Sequence, residues 1–397
     1  MITFEPDEEQ QLMASTVRDL AAQKLLPRVR EIEAARALPA DLAAALAELG
    51  LATLGVPESA GGAGASVRTQ VLVEEELAAG DAAVPFAMAG PKALGLALLE
   101  LGSAAQRDRI LCTFVDDPTR VGAVAWSEPR PSAEPGFSTT ARQDGDAWIL
   151  DGEKAYVIDA GRASTYVVFA QIDRSAGWSG FGAFLVDAAA PGLTVGARAV
   201  TLGLDAAHFG SLKLAGVRAE RLETADVVRA TLRFFARLSL TVAARAVGLA
   251  RAAFDTTHAF TAERKAFGKP IGHFQAVAFN LVDRLVDVDS ARGLVWRAAW
   301  TLDTHGDDDA AVLSHCSEAA AEALEAVQRC GADAVQLHGG AGFVRDYVVE
   351  KYMRDAKQLA LCAPTVATSD ALFAAISLGR PLDGALLPTP DIQPIFT

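Results

Sequence analysis

The sequence predicts an α+β fold in which a helical domain, a β domain and a second helical domain follow one another along the chain. Residues 1–119 and 226–380 are rich in alanine, leucine and glutamate, with apolar residues at helical spacing. Residues 120–225 instead carry short β-branched and aromatic runs between turns. With 397 residues, 51% of them hydrophobic, the chain is long enough for two or three domains that share a substantial core.

The first domain shows the apolar stripe of amphipathic helices. Leu42, Ala45, Leu46 and Leu49 stand at positions i, i+3, i+4 and i+7, and the run ends at Gly50. Because this period matches the 3.6-residue turn of a helix, the spacing predicts a helical domain over residues 1–119.

The middle domain is predicted to be a β-sandwich or a small barrel. The runs at 148–152, 165–170, 181–186 and 192–195 are short, rich in β-branched and aromatic residues, and separated by turn-forming residues. Such runs favour strands, which gives a β domain over residues 120–225.

The third domain is predicted to be a bundle of long, alanine-rich helices. Its breaks are expected at 268–272, 305–307 and 339–340, where glycine or polar residues interrupt the helical pattern. Residues 381–397 contain several prolines and are predicted to be a tail.

Charge and composition exclude several classes of function. A formal charge of −14, a pI near 4.9 and the lack of a long basic cluster argue against nucleic-acid and anionic-membrane partners. The four cysteines are far apart in the sequence, and the six histidines show no His-x-x-His or His-Glu-x-x-His spacing. Neither a disulfide framework nor a metal site is therefore expected. Neither a signal peptide nor an apolar run of about 18 residues is present, which predicts a soluble cytoplasmic protein.

Two segments of the third domain combine residues suited to an anionic cofactor. Arg264 can hold a phosphate through two parallel hydrogen bonds, and Gln275 follows it at the head of the next predicted helix. Gly339 and Gly340 offer backbone N–H groups with no Cβ in the way. Each feature alone has a structural explanation, since an arginine or a glycine pair is common at helix ends.

Taken together, the motifs resemble those of the acyl-CoA dehydrogenase family. The matching segments are Trp126–Pro129, Asp151–Ile158, Arg264–Gln275 and Gln336–Lys357, and the resemblance spans nearly the whole chain. It implies a helical, β, helical architecture, an FAD cofactor, an acyl-CoA substrate and an electron-transfer flavoprotein as the electron acceptor. It also implies a homo-tetramer, or a hetero-tetramer with a homologous chain.

The resemblance also assigns cofactor-binding positions, some of which reach the FAD of a neighbouring subunit in the family. By position they are Trp126, Ser127, Tyr156, Val157, Arg264, Phe267, Gln275, Gln336, Gly339, Gly340 and Thr365.

The family's catalytic glutamate has no counterpart here. Its usual position falls on Ala363, and the alternative position used by some relatives falls on Leu238. A serine that lies beside the thioester in the family maps to Ala133. A positioned base contributes roughly 10²–10⁴-fold to such a reaction, so full unaided activity is doubtful unless another acid, such as Asp226, Glu128 or Glu134, takes this role.

Three functions therefore remain open at the level of sequence. The chain could be an acyl-CoA dehydrogenase that desaturates the α,β-bond with an unrecognised base. It could be the base-less subunit of a heteromeric assembly, paired with a base-bearing homologue as in some steroid-degrading members of the family. It could also be a related flavoprotein with oxygenase or oxidase chemistry, or a binding module without chemistry.

Overall fold

The computed structural model describes residues 4–130 and 134–388, and its elements follow the predicted order of helices, strands and helices. The first set of helices comprises α1 (Glu8–Leu20), α2 (Val29–Ala35), α3 (Ala40–Glu48), α4 (Val67–Gly80), α5 (Val84–Ala87), α6 (Lys92–Leu101) and α7 (Ala104–Asp116).

Polar caps set the starts of α1 and α7. At α1 the side chain of Asp7 accepts a hydrogen bond from the backbone N–H of Gln10, and the side-chain oxygen of Gln10 accepts one from the backbone N–H of Asp7. Ser103 and Gln106 form the same reciprocal pair at α7. Each cap satisfies N–H groups that have no partner inside the helix.

The middle domain is a closed barrel rather than two packed sheets. Its strands are β1 (Gly122–Ala125), β2 (Thr140–Asp144), β3 (Ala147–Ile158), β4 (Thr165–Gln171), β5 (Phe181–Asp187), β6 (Leu193–Val195) and β7 (Phe209–Arg221). Strand β4 pairs with β2, β2 with β3, β3 with β7 and β7 with β5, and β5 pairs with β4 again, which closes the barrel. In addition, β1 pairs with β4 and β6 pairs with β7. Alternate side chains of the strands fill the barrel with a core of its own.

Long helices return after the barrel. They are α8 (Val227–Glu263), α9 (Gln275–Thr304), α10 (Asp309–His338), α11 (Val349–Leu359) and α12 (Val366–Ser377), and a short hairpin of β8 (Lys265–Ala266) and β9 (Lys269–Pro270) joins α8 to α9. Within residues 4–130 and 134–388, no helix is long and apolar enough to cross a membrane. Residues 389–397 of the predicted tail lie outside the described residues.

A buried ionic cluster ties the three parts together. Lys351 Nζ lies 3.0 Å from Asp81 Oδ1 and 2.5 Å from Asp355 Oδ2, and the other oxygen of Asp355 accepts from the backbone N–H of Leu204 at 2.7 Å. The two carboxylates raise the pKa of Lys351 despite its burial, so the ammonium stays charged. This cluster fixes α11, and with it the loop that follows α11, against the barrel and the first helices.

Candidate functional site

A cavity of about 800 Å³ lies where the first helices, the barrel and the C-terminal helices meet. Its wall is mostly apolar. The structure brings to this one cavity both positions aligned with a catalytic base and five of the predicted cofactor-binding residues: Trp126, Ser127, Tyr156, Val157, Leu238, Ala363 and Thr365.

The loop 126–129 is held against β3 by a buried ion pair. Glu128 Oε1 lies 3.0 Å from Lys154 Nζ, and the carboxylate also accepts from the backbone N–H groups of Ser138 and Thr139 at 2.7 and 2.8 Å. Burial lowers the pKa of Lys154 to about 8 although Glu128 opposes it. Burial tends to raise the pKa of Glu128, but the nearby ammonium and the hydrogen bonds hold it below its ordinary value. The pair is therefore ionised at neutral pH and orients Trp126 and Ser127.

Tyr156 lines the cavity and has a strained backbone. Its φ is 53°, in the left-handed region that non-glycine residues seldom adopt, and the residue remains 55% exposed. The β3–β7 register shifts between Lys154 and Val157, which is a bulge. Bulges redirect side chains next to functional sites, and here the bulge places both Tyr156 and Val157 on the cavity wall.

Trp126 is chiefly a packing residue between the barrel and α8. Its ring meets Phe137, Phe169 and Phe235 edge-on at centroid distances of 4.7–4.8 Å. Edge-to-face contacts of this kind stabilise the cluster beyond the area buried. The indole Nε1 is buried and has no hydrogen-bond partner among the described residues.

The loop between α11 and α12 forms another part of the wall. Ala363 and Thr365 line the cavity, and Thr365 also caps α12 through the backbone N–H of Thr368. Cys362 is buried, and burial raises the pKa of its thiol to about 12. A thiol with that pKa is protonated at neutral pH and is a poor proton acceptor.

Both carboxylates that line the cavity within the described residues are already paired. Glu74 accepts from the Nε and Nη2 atoms of Arg245 at 2.7 and 3.0 Å. Asp159 Oδ2 lies 2.7 Å from Lys92 Nζ, and its Oδ1 lies 2.7 Å from Arg162 Nη1.

The three acids considered from the sequence as replacement bases lie elsewhere. Asp226 caps α8, Glu128 is paired with Lys154, and neither these two nor Glu134 is part of the cavity wall. Ala133, the position aligned with the thioester-side serine, lies outside the described residues.

The remaining predicted cofactor residues gather at another place, the end of the C-terminal bundle. Phe260, one turn before Arg264, stacks on His338 at 4.1 Å, and His338 directly precedes Gly339. The ends of α8 and α10 are therefore adjacent. All six residues of this group are exposed and lie outside the cavity wall: Arg264, Phe267, Gln275, Gln336, Gly339 and Gly340.

Sequence reasoning missed the charged residues of the cavity, namely Glu74, Lys92, Asp159 and Arg245. The one available signal was Arg245, a cation within the otherwise apolar run Val242–Ala250. Among the described residues, no group of three or more His, Cys, Asp or Glu side chains could hold a metal ion.

Comparison with known proteins agrees with this geometry. Three family models match the chain: "Acyl-CoA dehydrogenase, N-terminal domain" at residues 7–117, "middle domain" at 123–217 and "C-terminal domain" at 228–363. The chain is 32% identical over 371 residues to the mitochondrial short-chain specific acyl-CoA dehydrogenase of Bos taurus, covering 89% of this chain and 86% of that protein.

Solved structures show the same likeness. The butyryl-CoA dehydrogenase of Megasphaera elsdenii superposes with a TM-score of 0.86 at 27% identity, covering 95% of this chain and all of the other. A chain from the structure described as the electron transferring flavoprotein of Acidaminococcus fermentans gives a TM-score of 0.86 at 28% identity, with the same coverage. The chain therefore belongs to the acyl-CoA dehydrogenase family, whose members are oxidoreductases that act on the CH–CH bonds of acyl-CoA thioesters.

Proposed function

We propose that this protein binds FAD and an acyl-CoA thioester in the cavity and takes part in α,β-desaturation, with the electrons passed to an electron-transfer flavoprotein. The observation that carries the proposal is the convergence of Ser127, Tyr156, Val157 and Thr365 on one apolar cavity of about 800 Å³. Cavities of this size that combine an apolar wall with a few polar groups are typical of cofactor and ligand sites.

The residues present fit a flavin. Tyr156 and Val157 line the cavity, and no hydrogen bond joins the Ser127 hydroxyl to another described residue. That hydroxyl is therefore available to a polar edge of the cofactor. FAD, when bound, accepts the hydride that leaves the β-carbon of the acyl chain. The chain's own residues orient the two reactants and keep water from the reaction, because most of the wall is hydrocarbon.

The exposed group around Arg264 supports assembly of more than one subunit. Arg264, Gln275 and the Gly339–Gly340 turn lie at one end of the bundle and are not part of the cavity wall of their own chain. We propose that they hold the pyrophosphate end of the FAD bound by a second copy or by a homologous chain, in a tetramer or dimer.

An exposed apolar stripe on α9 is the proposed contact between the copies. Phe279, Val282 and Val286 repeat at helical spacing and are more than half exposed. Neighbouring exposed apolar side chains of this kind are typical of a protein interface.

The absorption spectrum of the purified protein tests the cofactor proposal. We expect a flavin band that survives desalting and bleaches anaerobically when an acyl-CoA is added. A colourless protein that takes up no added FAD would refute the proposal.

One observation favours a second candidate, in which the chain is the base-less subunit of a heteromeric dehydrogenase. The two positions aligned with the family's base, Ala363 and Leu238, carry hydrocarbon side chains, and the two carboxylates of the wall are ion-paired. No free carboxylate of the described wall can then take the α-proton. The test is to mix the protein with a base-bearing homologous chain. Turnover that requires both chains supports this candidate, and equal turnover by the protein alone rejects it.

A further inference from the structure

The ion pair between Arg245 and Glu74 lies in the cavity wall. Leu238, Thr241 and Arg245 are spaced by three and four residues on α8 and all line the cavity. Seven residues correspond to about 10 Å along a helix, which places Arg245 about that far along α8 from Leu238, the alternative base position. An acyl chain whose reacting carbons lie beside Leu238 can extend along the wall as far as Arg245.

Close packing of α4 against α8 forms the pair. A Cβ on Gly248 would lie 2.1 Å from the backbone oxygen of Glu75, so only glycine lets the two helices approach this closely. Glu74 then reaches the guanidinium in a two-pronged contact, and the Arg245 Cζ atom lies 4.3 Å from the centroid of the Phe86 ring. These contacts fix the guanidinium in one orientation.

A contribution to folding stability does not by itself explain why this ion pair is present in the cavity wall. The Arg245 side chain is 9% exposed and that of Glu74 is 23% exposed. Removing an ion pair from water costs about as much as the attraction returns, and apolar side chains of similar volume often serve packing equally well. A pair retained in a ligand cavity is better explained by a ligand.

The guanidinium retains donors for such a ligand. Nε and Nη2 bond to Glu74, whereas no described residue accepts a hydrogen bond from Nη1. Arginine has no acceptor atoms, so the group that binds Nη1 must itself be an acceptor.

The surrounding charges favour an uncharged acceptor. Lys92 also lines the cavity, with Nζ 2.7 Å from Asp159 Oδ2 and 2.6 Å from the carbonyl oxygen of Phe86. Each of the two cations of the wall therefore has a carboxylate partner in the wall, and Asp159 is also paired with Arg162, which lies outside the wall. A carboxylate on the ligand would meet the charge of Glu74 at the same guanidinium, whereas a hydroxyl or keto oxygen would not.

We propose that Arg245, held by Glu74 and Phe86, binds an uncharged oxygen on the distal part of the acyl chain, so that the preferred substrates are oxygenated acyl-CoA thioesters. This inference rests on the proposed function of the cavity. It makes Arg245 a specificity residue rather than a participant in the reaction.

The test is calorimetric titration of the flavin-loaded, full-length protein with matched thioesters. The probes are hexanoyl-, octanoyl- and decanoyl-CoA, each beside its ω-hydroxy counterpart, together with the ω-carboxy thioester of eight carbons. We expect the hydroxylated member to bind about tenfold tighter at one of the three lengths, since a hydrogen bond to a charged donor in a dry site is worth at least that much. We expect no gain for the carboxylated probe.

Two variants separate ligand binding from a simple clamp between helices. The double variant Glu74→Leu/Arg245→Leu keeps the wall filled and should reduce the hydroxyl preference to about twofold or less while plain acyl-CoA still binds. Glu74→Gln keeps the guanidinium and removes the competing charge, so it should shift the preference toward the carboxylated probe. The matched control is Glu76→Leu/Arg251→Leu, which removes another α4–α8 ion pair that lies outside the cavity wall.

The outcomes distinguish this inference from the proposed function. Equal binding of plain and hydroxylated thioesters by the unmodified protein, or tightest binding of the carboxylated probe, overturns the inference and leaves the proposed function standing. An equal change in the preference for hydroxylated thioesters in the test and control double variants also overturns the inference, because the ion pair then only holds α4 against α8. If no thioester binds, the proposed function fails and this inference fails with it.

Discussion

The ammonium nitrogen of Lys154 lies 3.0 Å from Glu128 Oε1 and 3.1 Å from the backbone oxygen of Trp126, and both charged side chains are buried. One ion pair thus joins β3, which carries Tyr156, to the loop that carries Ser127. Removing one member leaves the other charge buried without compensation.

We predict that Lys154→Met lowers the free energy of unfolding by about 3–5 kcal/mol. The double variant Lys154→Met/Glu128→Gln should recover part of this loss, because no charge is then left unpaired. Urea unfolding followed by circular dichroism measures both variants. A single variant as stable as the unmodified protein would show that the loop is held by other contacts.

The exposed guanidinium of Arg264 gives a prediction about cofactor retention. Arg264→Ala should strip the flavin during gel filtration while leaving helical content unchanged, because the side chain supports no packing in its own subunit. Arg380→Ala, at an exposed arginine that follows α12 and has no predicted cofactor role, is the control and should keep its flavin. Normal flavin retention by Arg264→Ala would contradict the proposed subunit contact.

The apolar stripe on α9 predicts a change in oligomeric state. Val282 is 57% exposed and lies at the centre of the stripe, so Val282→Asp should introduce an unpaired charge into a subunit contact and shift the protein toward monomer. Light scattering coupled to gel filtration measures the mass. An unmodified protein with the mass of a monomer, or a variant with the same mass as a larger unmodified protein, would contradict the prediction.

The two apolar base positions predict a gain of function. Ala363→Glu, or Leu238→Glu at the alternative position, should raise acyl-CoA dehydrogenation by about tenfold or more, which corresponds to about 1.4 kcal/mol of transition-state stabilisation. An artificial electron acceptor reports the rate. Because the wall is apolar, the new carboxyl should have a raised pKa, and the gain should increase with pH.

Ala374→Glu is the control for this gain, since Ala374 is exposed and lies outside the cavity wall. A rise in all three variants would point to a general effect on the protein. No rise in any, together with activity on mixing with a base-bearing homologue, favours the heteromeric assembly.

Acid sensitivity should follow the ion pairs of Glu76. Burial tends to raise the pKa of this carboxyl, but hydrogen bonds from Arg18 and Arg251 outweigh it and hold the pKa below its ordinary value of 4.5. A lowered pKa means that the unfolded chain binds the proton more tightly, so the stabilisation is complete above pH 4.5 and is lost as the pH falls through the folded-state value.

Melting temperature measured as a function of pH checks this prediction. The unmodified protein should lose stability below pH 4.5, and Glu76→Gln should show a shallower decline because it has no proton to gain there. Parallel curves for the two proteins would assign the acid sensitivity to other carboxylates.

The order of helices, strands and helices was predictable from the sequence because it depends on local patterns. Apolar spacing of three and four residues distinguishes a helix from a strand wherever one face is buried, and the resemblance of the motifs to one family agreed with that order. The family and the α+β class were confirmed, and the barrel was one of two predicted forms of the middle domain. The cofactor and base assignments stay predictions that the experiments above address.

What only the tertiary structure decided is which distant residues meet. Glu74 and Arg245 are 171 positions apart, and Lys351 and Asp81 are 270 apart, so no local pattern links their charges. Their contacts depend on the depth at which α4 packs against α8 and on the angle at which α11 meets the barrel, both of which are set by the summed packing of many side chains. The sequence by itself therefore determined the elements and the family, whereas the folded chain determined that the cavity is apolar at both base positions and that its charged residues are ion-paired.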